Sequence, residues 1–216
     1  MKTAARWAQA VLIAVLILAC LIWIDNVRAK PDVRVFDPGQ MARMEAAMWR
    51  SYYEGRWVQL GWQSMRIART QYGFSVLDSL QLAKHAAVAA LWFRKNTDAP
   101  ECLPELEAYY ALVRKAAGAR FDTAEAARLE LEWWKQRRRS VPPEDYARTI
   151  AQLAALIYNV PQNRMLDAST KRANAMAYRD ARRGEAMGDD EWRTVEEMLA
   201  GAYGSLKAAI EADERP

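Results

Sequence analysis

The chain predicts an all-α protein: a single N-terminal transmembrane helix, then an extramembrane helical bundle of about six to seven helices. Three observations carry this. Residues 8–24, AQAVLIAVLILACLIWI, run without a charge. Beyond them apolar residues recur at helical spacing, and no run joins β-branched residues to strict alternation. Short Gly, Pro and Asn breaks separate the segments, so neighbouring helices should lie antiparallel in a bundle. A short α-solenoid ranks second, because no self-similarity of 30–40 residues recurs.

Composition narrows the function classes. With hydrophobic residues at 52 % and only nine Gly and eight Pro, the chain folds and is not disordered. Nine Trp and nine Tyr against four Phe suit surfaces where one end of a ring stays polar. The formal charge of +4 falls to +2 once Lys2 and Arg6 are set aside, which is no nucleic-acid signature. Cys20 lies in the apolar run and Cys102 stands alone beyond it, so the domain has no internal disulfide to offer.

In order along the chain, residues 1–29 read as the anchor, 30–39 as a linker and 40–216 as the helical domain. Seventeen helical residues span about 25 Å, a little under the ~30 Å hydrocarbon core. Trp7 and Trp23 sit at its ends, where amphipathic rings prefer the interface, and Arg6 extends the reach by snorkelling. A cleaved signal peptide ending near Val27-Arg28-Ala29 is the alternative. A lipoprotein signal at Cys20 is disfavoured by the apolar Leu21-Ile22-Trp23 that follows. The expected placement is a single-pass protein with its N-terminus inside, in the inner membrane if the cell is bacterial, and its domain periplasmic.

Pro31 and Pro38 extend the linker. One long helix is expected over 40–71, apolar on two faces (Met41, Met44 and Met48; Trp49, Tyr53 and Trp57) and weakened by Gly55 and Gly61. Tyr72-Gly73-Phe74-Ser75 ends it and caps the next helix, over 76–95. Further helices are expected over 103–117, 122–139, 143–158, 162–187 and 190–212. Asp122-Thr123-Ala124-Glu125 has capping-box spacing, and Asp189, Asp190 and Glu191 favour a helix start.

The single histidine, His85, removes most metal and catalytic templates. The sequence carries no HExxH, no paired Glu-x-x-His, no CxxC or CxxCH, and no Walker, GxGxxG or GxSxG motif. The remaining metal candidates are Glu45, His85 and Glu130, with Met41, Met44 and Met48 as thioether donors; a structural role is favoured for each. His85 shares a face with Asp78. The acidic neighbours Glu101 and Glu105 should raise the Cys102 thiol and not activate it. No cofactor is expected. Arg137, Arg138 and Arg139, with Arg172, Arg179 and Arg183, are the candidate partner-binding cations, the last three sharing a stripe.

The functional expectation is a non-catalytic accessory or scaffolding subunit, held in the bilayer by residues 8–24 and bound to other subunits of a membrane complex, with no nucleic-acid partner. The alternatives are a bundle enclosing a metal or haem and an anchored ligand-binding or signalling domain.

Overall fold

A computed structural model describes residues 2–213 apart from 97, 99 and 119; the expected domain end at 214–216 lies outside the described residues. The described residues form helices only: α1 (Lys2–Arg28), α2 (Pro38–Tyr53), α3 (Trp57–Tyr72), α4 (Val76–Lys95), α5 (Cys102–Ala116), α6 (Thr123–Arg138), α7 (Pro143–Tyr158), α8 (Gln162–Asp180) and α9 (Asp189–Asp213). The all-α expectation of an apolar N-terminal helix followed by a bundle is met.

Two boundaries are corrected. The helix expected over 40–71 is two helices, because Gly55 takes the left-handed φ of 72° and reverses the chain between Tyr53 and Trp57. Met41, Met44 and Met48 of one face and Trp49 and Tyr53 of the other all lie on α2, while Trp57 opens the antiparallel α3. The helix expected over 162–187 stops at Asp180, and Arg182, Arg183 and Gly184 (φ 92°) turn the chain into α9. The domain thus has eight helices, not six to seven, among the described residues.

Each of α2 to α9 packs on its sequence neighbours, and α9 packs against α2. The bundle is therefore a closed ring and not an open solenoid. Contacts show the antiparallel sense throughout. Ser64 reaches Met48 and Gln71 reaches Gln40 between α3 and α2, Arg172 meets Tyr203 between α8 and α9, and Arg50 meets Asp189 while Tyr203 meets Glu45 across the closing seam.

The ring is built twice over. Phe36, Asp37, Ala42, Arg43, Glu45 and Trp49 recur 85 positions later as Phe121, Asp122, Ala127, Arg128, Glu130 and Trp134. Asp37 caps α2 by accepting from the Gln40 amide, and Asp122 caps α6 by accepting from the Glu125 amide. Both α3 and α7 end in Tyr followed by a left-handed residue, Tyr72-Gly73 and Tyr158-Asn159. Phe36 lies edge-on to Tyr203, and Phe121 edge-on to Tyr110. One pair has exchanged its members between halves: the Arg179 guanidinium stacks on Tyr53 at 3.7 Å, and at the equivalent positions Arg138 stacks on Phe93 at 4.9 Å. Helices α2–α5 and α6–α9 are thus two versions of one four-helix unit, related by a pseudo-two-fold axis along the ring.

The linker closes one end of the ring. Its Asp32 and Val33 amides donate to the carbonyls of Tyr72 (α3) and Ala116 (α5), both at 2.9 Å, and Arg34 donates to the Tyr158 carbonyl (α7) at 2.6 Å. Lys207 (α9) donates to the Arg34 carbonyl at 2.7 Å. Val33 and Phe36 are buried beneath this strap. The stretch expected to be a spacer is thus a built plug. Helix α1 emerges from the plugged end; it touches the domain chiefly at α4, where Asp25 accepts from the Val76 amide at 2.7 Å and from Arg69 at 2.5 Å. Residues 9–21 of its apolar stretch are exposed and Ile22 and Ile24 half-buried, with Arg6, Trp7 and Trp23 on the surface.

A Cβ at Gly73 would stand 3.2 Å from the Lys30 carbonyl oxygen, on a residue whose φ of 70° already disfavours L side chains. Gly73→Ala is expected to cost about 1–2 kcal/mol from the backbone alone, read as a lowered urea midpoint. A control Gly204→Ala, where a Cβ meets nothing, should leave the midpoint unchanged or raise it.

Candidate functional site

The ring encloses a lumen of about 810 Å³ to which all eight domain helices contribute. Its wall is largely apolar, and on α4 it is small-sided, with Ala83, Ala86, Ala87 and Ala90 facing Ala68 of α3 and Ala154 of α7 among larger aliphatic and aromatic side chains. The alanines cluster on α4, where short side chains leave the centre unfilled, while α2, α5 and α6 line it with Met41, Met48, Tyr109, Tyr110, Trp133 and Trp134. Tyr72 and Tyr158, equivalent residues of the two halves, hydrogen-bond to each other at the plugged end. At the other end the exposed lining residues Trp57, Gly61, Ala87, Leu91 and Arg94 form a mouth between α3 and α4. The Arg94 guanidinium lies 5.7 Å from the centre of the Trp57 ring at that rim.

Two glutamates face the lumen from opposite sides, on α2 and α6. Glu45 is held by Arg172 through two bonds, Nη1 to Oε2 at 2.7 Å and Nη2 to Oε1 at 2.5 Å. The Tyr203 hydroxyl donates to Oε2, and Trp49 Nε1 donates to Oε1 at 3.2 Å. The pair locks α2, α8 and α9 together at the seam where the ring closes. Burial works against the Arg172 cation, but the adjoining Glu45 carboxylate prevails and holds its pKa well above the ordinary value.

Glu130 has the same scaffold without the arginine. The Tyr110 hydroxyl donates to Oε2 at 2.8 Å, Trp133 Nε1 to the same oxygen at 2.9 Å, and Trp134 Nε1 to Oε1 at 2.9 Å. Three neutral donors and no cation in contact leave burial as the dominant influence, and the Glu130 pKa is raised, although those donors partly offset it. Burial, then the Glu130 charge, raises Tyr109 and Tyr110 above the usual phenol. Burial takes Tyr158 to about 12, against the bond it shares with Tyr72.

The three metal candidates are not brought together. Glu45 is paired with Arg172 and Glu130 with its phenol and indoles. His85 Nδ1 lies 2.6 Å from Glu105, and Asp78 is bound by Lys115 instead. No cluster of three metal-ligating carboxylate, imidazole or thiol groups exists among the described residues. Cys102 is buried, with its thiol raised by burial and then by Glu101.

The six arginines part company. Arg172 points into the lumen and Arg179 is buried on Tyr53, so the exposed stripe read from spacing is corrected: the face of α8 that carries them packs inward. Arg137 joins α6 to α8 and α2 through Asp180 at 2.7 Å and the Tyr53 hydroxyl at 2.7 Å. Arg138 covers Phe93, Arg139 lies 3.7 Å from Asp98 and Arg183 3.3 Å from Asp180, these three on the surface. Spacing alone missed Tyr72, Tyr109, Tyr110, Tyr158 and Tyr203 as lumen residues. The signal for two of them was the repeat, which at an offset of 86 sets Tyr72 and Tyr158 at equivalent helix ends; Tyr110 and Tyr203, 93 positions apart, fall outside its register.

No family model, no curated protein and no solved structure matches this chain.

Two outcomes test the electrostatics. Glu45→Ala strands the Arg172 charge and should cost about 3–5 kcal/mol, whereas a joint Glu45→Leu and Arg172→Met replacement should cost much less; urea unfolding of both variants decides. A raised Glu130 pKa means the native state keeps a proton that the unfolded chain releases. Its contribution is therefore present below about pH 4.3 and is lost as pH rises from there through the native pKa. The stability difference between wild type and Glu130→Gln should drift with pH in that sense, measured by thermal melts across the acid-to-neutral range.

Proposed function

We propose that this chain is a membrane-tethered binding protein whose helical ring takes up an amphiphilic small molecule. The lumen carries the reading. A cavity of about 810 Å³ lies in the range that encloses small organic ligands. It is apolar over most of its wall, has a few polar groups at fixed places, is plugged on the tether side and is open at the other end. Among the described residues, α1 is the one helix long and apolar enough to span a bilayer, over Gln9–Arg28, and none of that window is buried in the domain. An anchored domain with its N-terminus inside would present the mouth on the far side of the membrane, away from the tether.

The accessory-subunit reading keeps one observation in its favour. On α3, Val58 is 91 % exposed and Trp62 61 % exposed. The equivalent positions of α7 hold Glu144 and Arg148, so the fold does not require apolar residues there. Leu77, Leu80 and Trp92 continue that face on α4.

Solvent extraction of the purified full chain followed by mass spectrometry should return a discrete small molecule. An environment-sensitive fluorophore should bind the emptied protein and lose about tenfold or more in affinity on Ala83→Trp, since the added ring fills the space. Binding that is unaffected by filling the lumen would sink the chamber reading. Stoichiometric co-purification of a second chain that Trp62→Glu abolishes would establish the subunit reading instead.

A further inference from the structure

Comparison of the two halves assigns a ligand class to the lumen. Residue for residue, α4 and α8 start at Val76 and Gln162, and the tenth residue after each start is Ala86 and Arg172. Around that difference the halves agree. Ala89 and Ala175 are both fully buried, and Ala83 and Ser169 both line the lumen. The glutamates agree oxygen by oxygen: a Trp from the next helical turn (Trp49, Trp134) donates to Oε1, and a Tyr from the preceding helix in the ring (Tyr203, Tyr110) donates to Oε2. In the second half the Arg172 guanidinium completes the arrangement, bonded to both oxygens and 5.9 Å from the centre of the Trp49 ring. In the first half Ala86 has no such group to offer, and the space between Ala86 and Glu130 is lumen.

We infer that Glu130 binds the cationic head of an organic amine or guanidine, which occupies beside Trp134 the place that Arg172 occupies beside Trp49. Trp133 takes over one of the two bonds that arginine makes to the opposite glutamate, on Oε2; Oε1, with the Trp134 indole as its one donor, accepts the second from the ligand. The surrounding indole and phenol rings suit a cation that has shed water. The other charged groups lining the lumen do not compete, since Glu45 is already paired with Arg172, and Arg94 lies at the rim over Trp57. The Ala-lined wall of α4 receives the apolar body of the same molecule, so the ligand is an amphiphilic cation oriented with its charge inward. This deepens the ligand-chamber reading and rests on it.

The test uses two probes that share one apolar body, 4-phenylbutylamine (a cation at neutral pH) and 4-phenylbutan-1-ol. Each is titrated calorimetrically into the full chain in lipid nanodiscs, with empty nanodiscs as the blank. The ammonium should bind about tenfold tighter than the alcohol, as charge-assisted bonds exceed neutral ones. Glu130→Gln should erase that preference and leave the alcohol affinity within about twofold. Ala86→Arg should supply the missing guanidinium from the chain itself, abolish ammonium binding and raise the melting temperature. Equal or tighter binding of the alcohol, or ammonium binding undiminished in Glu130→Gln, overturns the cation assignment and leaves the chamber standing. Failure of both probes to bind the wild type overturns the chamber as well.

Discussion

A ring of antiparallel helices closes only when their number is even, since with an odd number the last helix meets the first in parallel, and the uniform up-down sequence fails at the seam. Everything else in this domain depends on that parity. The short connections force neighbours to be antiparallel, so the break at Gly55, which turns one long helical pattern into α2 and α3, is what raises the count from seven to eight. Without it α9, antiparallel to α8, would meet the first domain helix in parallel. The chain would form either an open array or a collapsed bundle, and in neither case a lumen. The closing seam also carries a polar network: Glu45, Arg172 and Tyr203 bring three helices from the two ends of the domain onto one buried charge pair. A buried pair of this kind is weak evidence for net stability but good evidence for a unique register, and register is what a closing seam needs.

Much of the fold was legible in the residues. The caps at Ser75 and Asp122, the stop at Gly73 and the breaks at Pro142-Pro143 and Asn159-Val160-Pro161 all mark helix ends in the structure, whereas Asp37-Pro38, which reads as linker, caps and opens α2 two residues before the expected start. Periodicity could not say whether residues 40–71, apolar on two faces, were one sandwiched helix or two paired ones, because both bury the same side chains. A glycine inside a helical pattern counts as a modest penalty in either case, and its positive φ appears only in three dimensions. The arginines of α8 were misjudged for a related reason. A cation on an apolar stripe reads as surface until its carboxylate is located, and that of Arg172 lies 127 positions away in sequence on Glu45. The abundance of Tyr and Trp, read as a sign of outer surfaces, is in good part a property of an inner one. An apolar lumen that holds two carboxylates asks for rings with one polar end just as an interface does.

The duplication escaped a search at the period of short solenoid repeats because its unit is four helices long, and because packing tolerates hydrophobic exchange. Outside α2 and α6 the halves share pattern more than residues. What they keep is informative. The Phe-Asp cap, the Ala-Arg pair, the glutamate and its tryptophan recur together, and in three dimensions the phenylalanine packs on the tyrosine that bonds the glutamate. The exchanged Arg179–Tyr53 and Arg138–Phe93 stacks show a contact preserved while both of its members changed. Such compensation is expected only where the contact itself is needed by the ring.

Two copies of one unit also provide an internal control that a single domain lacks. Features common to both halves are explained by the ring; features of one half alone are not. The second half has the inward arginine, a charged outer surface on α7 and no mouth. The first half has Ala86, the exposed Val58 and Trp62, the opening between α3 and α4, and the attachment of α1 through Asp25. The departures from pseudo-symmetry therefore gather on one wall, α3 and α4, where polar compensation has been removed inside and apolar surface has been added outside. Neither change improves the ring as a folded object: the one leaves a glutamate without its cation, and the other exposes indole to water. Local rules broken on the same wall, with the opposite wall showing that they need not be, are where function is expected to have replaced stability as the constraint.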